Sequence, residues 1–153
     1  LPQGWLTPID ERGTCYGDAL LAPTTLYSPV TEALWQAGIA PHYSANITGH
    51  GWRKLLRHPK ALTYRIIEVP PVPKVLAFIA QHAGHDAQEA YSTFNMGAGF
   101  ALFVGAADAQ RCVGVARAQG IDAWVAGRVE AGPKQLLIEP LALRFGDDAL
   151  NLR

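Results

Sequence analysis

Thr93-Phe94-Asn95-Met96-Gly97-Ala98-Gly99-Phe100-Ala101-Leu102-Phe103-Val104 is the stretch on which the fold turns. Two glycines lead into five consecutive apolar residues, and an unbroken apolar run of that length is typical of a central strand covered on both faces. Helical patterns bracket it. Upstream, Asp86 and Glu89 form an Asp-x-x-Glu capping box that opens one helix. Before that, Val75, Leu76, Ile79 and Ala80 make an apolar stripe stopped by Gly84. Downstream, residues 107–119 read as a helix with Cys112, Val113 and Ala116 inward and Gly120 as its stop.

Farther out, Ser28 reads as an N-cap with Pro29 in the first helical position, and Val30, Ala33, Leu34 and Ala37 continue to Gly38. Tyr43 to Ile47 reads as a strand, Trp52 to Arg57 as a short helix ended before Pro59, and Leu62 to Val69 as a second strand. Ala19 to Ala22, stopped by Pro23, suits an edge strand. Ala123 to Val129 and Gln135 to Ile138 read as the arms of a hairpin, Leu141 to Phe145 as a further strand, and Asp147-Asp148 as a solvated turn. Helices and strands alternate, which predicts an α/β (α+β) domain with a mixed sheet. Residues 1–18, rich in Gly, Pro and polar residues, read as an extended lead-in, with the domain proper at 19–153.

The 153 residues suit one domain, and a hydrophobic share of 49% with 17% charged residues excludes a disordered chain. Thirteen basic side chains balance thirteen acidic ones, so no global field gathers nucleic acid or an anionic membrane. The longest uncharged apolar-plus-glycine run, Met96 to Ala107, falls short of the roughly 20 residues a membrane-spanning helix needs. Cys15 and Cys112 form no C-x-x-C pair, which argues against a zinc module or disulfide scaffold and suits a reducing cytoplasm. Leu1 stands where an initiator Met is expected, so the chain is expected to start inside a longer protein.

Two glycine-bearing segments are the candidates for chemistry. In Asn46-Ile47-Thr48-Gly49-His50-Gly51-Trp52-Arg53-Lys54, a strand turns tightly into a helix. Free amides at such a turn, with the Thr48 hydroxyl and a charge from Arg53 or Lys54, can hold a phosphate. The plainer reading is a turn that needs glycine only for its backbone angles. In the second segment, Asn95 can hydrogen-bond a ligand, and Gly97 and Gly99 can let a ligand or another backbone approach. Relief of crowding against a neighbouring helix would explain the same two glycines. No metal-ligand spacing appears among the scattered His42, His58, His82 and His85, which read as surface or loop residues. Ser44 and Ser92 lack partners for nucleophilic catalysis.

Four motifs in order resemble one family. Gly17-Asp18-Ala19-Leu20-Leu21-Ala22-Pro23-Thr24 with Tyr27 is similar to G-[DE]-x-L-L-x-P-T-x-x-Y. Ile47-Thr48-Gly49-His50-Gly51 resembles I-T-G-G-G, Pro71-Val72-Pro73 resembles a proline-rich connector, and Thr93 to Gly99 resembles T-F-N-x-G-x-G. The family is the aminoimidazole ribonucleotide synthase superfamily, and the resemblance is to its C-terminal domain. It implies a three-layer α/β/α unit that forms the phosphate- and substrate-binding wall of a cleft. Asn46, Thr48, Gly49, His50, Gly51, Asn95, Gly97 and Gly99 would line that wall, and no catalytic residue is assigned.

The implied reaction is the ATP-dependent ring closure of purine biosynthesis that yields aminoimidazole ribonucleotide. ATP and Mg²⁺ would be held mainly by an N-terminal domain that is not in this chain. The implied partners are that domain, a phosphorylated small molecule and a second subunit in a homodimer, with no nucleic acid or membrane. Two departures keep another reading open, that of a non-catalytic or divergent relative binding a different ligand. Asn46 stands where the family pattern carries His, and His50 where it carries Gly. Asn hydrogen-bonds but does not titrate near neutral pH, so an acid–base role there is lost or moved to His50.

Overall fold

A computed structural model of the chain describes residues 1–146. Five α-helices and six strands, with short 3-10 helices between some of them, run along the described residues. They are α1 (Tyr16–Leu20), α2 (Ser28–Gln36), β1 (Tyr43–Asn46), β2 (Leu62–Ile66), α3 (Lys74–Ala83) and α4 (Ala87–Thr93), then β3 (Phe100–Phe103), α5 (Ala109–Ala118), β4 (Gly127–Ala131), β5 (Gln135–Ile138) and β6 (Leu143–Gly146). The class is α+β with a mixed sheet, as expected. Asp147-Asp148 lie outside the described residues.

The strands form two ladders. β1 and β3 pair antiparallel, with Asn46 opposite Phe100 and Tyr43 opposite Phe103. The other four run in the order β4-β2-β5-β6, with β2 antiparallel to β4 and parallel to β5. The expected β4–β5 hairpin is therefore corrected: β2 lies between its arms. Gly132 to Lys134 carry the chain around the leading end of β2, where Thr63 Oγ1 donates to the Pro133 carbonyl at 2.9 Å and accepts from Gln135 Nε2 at 3.2 Å. A Cβ on Gly132 would lie 2.8 Å from that hydroxyl, so the bend closes tightly over it.

Phe100–Phe103 is likewise not a central strand, since its only ladder partner among the described strands is β1. Its apolar run has another cause. Ala101 and Phe103 pack against the larger core, while Leu102 and Val104 pack against a second one. The larger core gathers Trp52, Leu55, Leu56, Tyr64, Tyr91, Leu136 and Ile138 between the ladders, and Phe103 meets the Tyr64 ring edge-on at 5.6 Å. The second core joins α2 to α5 through Val30, Leu34, Ile39, Cys112 and Ala116. Each fully buried Leu or Ile stabilises by roughly 1.5–3 kcal/mol relative to exposure.

Local corrections follow from the same packing. Ala19 to Ala22 is not an edge strand, because residues 16–20 are helical, with Leu21 N–H bonded to the Gly17 carbonyl. Ala and Leu are strong helix formers, and among the described residues no strand pairs with them. The lead-in folds back on itself, with a 3-10 turn at Gly4–Leu6 and a bridge from Pro8 to Cys15. In α2 the N-cap is Tyr27, and Ser28 is already helical. The Asp86/Glu89 capping box forms in both directions, and Gly38, Gly84 and Gly120 all adopt positive φ where helices stop.

Candidate functional site

The two glycine segments meet. β1 runs beside β3, and beyond the ladder Ile47 N–H donates to the Gly99 carbonyl at 2.8 Å. Trp52 Nε1 then donates to the Asn95 carbonyl at 2.8 Å, which ties the segment after the turn to the loop before β3. Thr48, Gly49 and His50 are exposed, while Gly51 and Trp52 are buried. Asn46 is exposed at the end of β1.

The helix after the turn differs from the expected one. Gly51–Arg57 is a 3-10 helix, and Gly51 N–H closes the turn on the Thr48 carbonyl at 3.0 Å. The Gly51 amide, first of the helix, is therefore not open to an anion. His50 takes a left-handed conformation at φ 75°, unusual for a residue with a Cβ.

The four motif glycines separate by what a side chain would meet. At Gly51 a Cβ would collide with the Tyr91 carbonyl oxygen, and at Gly99 with the Tyr27 hydroxyl. At Gly97 it would lie 2.7 Å from the Pro71 carbonyl, in the proline-rich connector. These three glycines admit other parts of the chain, and the motifs of the sequence pack against one another. Tyr27 also stacks on Phe100 at 5.0 Å. Gly49 is different: nothing lies within 4 Å of its Cβ position, and its φ is outside the left-handed region.

Of the two basic candidates, Lys54 reaches the turn, its ammonium donating to Thr48 Oγ1. Arg53 Nε donates instead to the Ser92 carbonyl at 3.0 Å. Partial burial, and then the nearby Arg57 guanidinium, hold the Lys54 pKa below the usual lysine range. The sequence reading placed Arg57 at the end of the short helix without offering it as a charge for the turn, although it stands i,i+3 from Lys54. Residues 50–60 hold His50, Arg53, Lys54, Arg57, His58 and Lys60 and no carboxylate. Asn95 is partly committed, since its Oδ1 accepts from Gly97 N–H at 3.0 Å, leaving Nδ2 as the donor to offer a ligand. His85 is a loop histidine between α3 and α4, but a half-buried one: its ring stacks on Phe94, and its Nδ1 is shut away from water with no partner among the described residues.

The family described as "AIR synthase related protein, C-terminal domain" matches residues 9–138. The chain belongs to this family. Among the curated relatives of this AIR synthase C-terminal domain is a phosphoribosylformylglycinamidine cyclo-ligase of Methanococcus maripaludis (strain C6), 38% identical over 122 residues, which span 78% of the chain and 34% of the relative. Proteins of the same name from Lachnospira eligens and Anaeromyxobacter sp. (strain Fw109-5) are 35% and 32% identical. They cover 84% and 86% of the chain, and 38% and 40% of their own lengths. The AIR synthase C-terminal domain thus spans about a third of the length of the curated relatives it matches. Among its described residues no helix is long and apolar enough to cross a membrane.

Proposed function

We propose that the chain is the C-terminal domain of a phosphoribosylformylglycinamidine cyclo-ligase-like enzyme, and that the Thr48–His50 turn holds a phosphate group of its substrate or nucleotide. Gly49 carries the reading. Among the described residues neither close packing nor a left-handed backbone asks for glycine at this exposed turn, which leaves room beside it for a group from outside the chain. The surroundings suit an anion. Lys54 donates to Thr48 Oγ1, which frees the hydroxyl hydrogen to point outward at a phosphate oxygen. Gly49 and His50 are exposed residues whose amides would add neutral donors, and Lys54 with Arg57 would add charge. Asn95, Gly97 and Gly99 would shape the neighbouring wall mainly by holding the turn in place.

On this reading the whole enzyme closes the imidazole ring with ATP and Mg²⁺, in the cytoplasm, and the isolated domain is inactive. Phosphoryl transfer depends mostly on positioning and charge neutralisation, which is the part this turn would supply. Among the described residues no three His, Cys, Asp or Glu side chains are grouped to hold a metal by themselves. The metal and most ATP contacts would fall to the preceding domain of the longer protein, whose homodimerisation is part of the same proposal.

Isothermal titration with inorganic phosphate tests the turn. Wild type is expected to bind, with Thr48→Ala, Lys54→Met and Gly49→Val each weaker by tenfold or more. Equal affinity in all four proteins would discard the assignment.

A further inference from the structure

We infer that an apolar groove between the Gly4–Leu6 turn and α1 is the seat for the domain that precedes this one in the longer cyclo-ligase relatives, an inference that rests on the family reading above. Trp5, Leu6, Cys15, Leu20 and Leu21 line the groove, which encloses about 440 Å³, and Asp18 supplies its one carboxylate. Leu21 is 83% exposed, Leu6 72% and Trp5 68%. Single exposed apolar side chains are ordinary on protein surfaces; here Trp5, Leu6 and Leu21 gather around one groove.

The lobe that bears the groove is held firmly. Trp5 stacks on Tyr16 with ring centroids 6.1 Å apart, and Tyr16 packs on Phe78 of α3 at 5.3 Å. The Asp10 carboxylate accepts from Lys74 Nζ at 2.9 Å and from the amides of Arg12 and Thr14 at 3.0 Å each. Gly17 lets Trp5 close in, since a Cβ there would lie 3.2 Å from its side chain. An apolar face ordered by that many contacts is suited to present itself to a partner rather than to collapse.

The occupant follows from the family. It is defined as a C-terminal domain, its match opens at residue 9 inside this lobe, and the relatives are about three times as long as the matched segment. On this inference the chain that precedes residue 9 of the match enters the fold beside the groove. Its complement is an apolar ridge with a Lys or Arg placed to meet Asp18.

Amide hydrogen exchange over residues 5–21 tests the seat. The chain alone is compared with a chimera in which the residues preceding the matched segment of the Methanococcus maripaludis relative are joined to it. Exchange in the chimera is expected to slow tenfold or more, and Leu21→Asp to restore the fast rate. The same graft from the Lachnospira eligens relative covers the case of one chimera misfolding, with unchanged β2 and β5 protection as the control. Unchanged exchange in folded chimeras overturns the inference. So does a concentration-dependent dimer of the isolated chain that Leu21→Asp abolishes, because the occupant would then be a second copy. Phosphate titration of the Leu21→Asp chain reads the Thr48–His50 turn independently, so either idea can fail without the other.

Discussion

Gly49 and Gly51 sit two residues apart and are glycine for opposite reasons, which substitutions can expose. At Gly49 there is room for a methyl group, so Gly49→Ala is expected to leave thermal stability within about 0.5 kcal/mol of wild type while weakening phosphate binding. Gly51→Ala pushes a methyl into the backbone of Tyr91 to Phe94, at φ 54°, and is expected to cost on the order of 3 kcal/mol or more in denaturant titration. Comparable stability losses in the two variants would mean that Gly49 is structural after all. His50 supplies a complementary case. Its left-handed backbone is one that glycine adopts freely, so His50→Gly is expected to raise stability by about 1 kcal/mol. Lys54 brings pH into the site. An anion favours the charged ammonium, so affinity should fall as pH rises through the pKa of Lys54, which burial holds below the ordinary lysine range. Phosphate titrations across alkaline pH should show that early loss in wild type, with Lys54→Arg retaining affinity further up the scale.

At the scale of elements, Thr63 tests how the four-stranded sheet is closed. Its buried hydroxyl is bonded to both sides of the bend that carries β4 into β5. Thr63→Val keeps the shape, removes the hydroxyl and strands the Pro133 carbonyl, a cost of about 1–3 kcal/mol by urea unfolding. If the variant is as stable as wild type, water already satisfies that bend. The same region shows where reading a sequence stops. Helix existence was legible at α2, α3, α4 and α5, because caps and stops such as Asp86/Glu89 and Gly84 act within a few residues. Strand partners were not, because nothing local to residues 127–138 says that β2, some sixty residues earlier, will slide between two strands joined by a three-residue bend. Ala19 to Ala22 failed for a related reason: a short apolar run reads equally as helix or strand until its neighbours are known. Of the candidate site, only the nearness of its two segments is seen in the fold, since the Thr48 and Asn95 loops adjoin. Which glycine faces outward was not, because that depends on Tyr27, Pro71 and Tyr91 arriving from elsewhere in the chain.

Across the whole molecule, the two cores share one strand, and that arrangement decides how the domain unfolds. Alternate residues of β3 and its extension reach opposite ways, Ala101 and Phe103 into the larger core, Leu102 and Val104 into the one between α2 and α5. A strand cannot keep one face packed while the other dissolves without losing its register with β1. Damage in the smaller core should therefore be felt in the larger one. Leu34 is fully buried, and Leu34→Ala removes its side chain from a cluster too small to refill the space. Cavity formation of this kind costs about 2–5 kcal/mol. If the cores unfold together, amides of β2 and β5, which contact only the larger core, should exchange roughly 100-fold faster in the variant, matching the loss seen by global unfolding. If α2 and α5 open alone, exchange in β2 and β5 would stay at the wild-type rate while α5 amides lose protection. That outcome would make the helical pair a separable unit and remove β3 as the element that couples the cores.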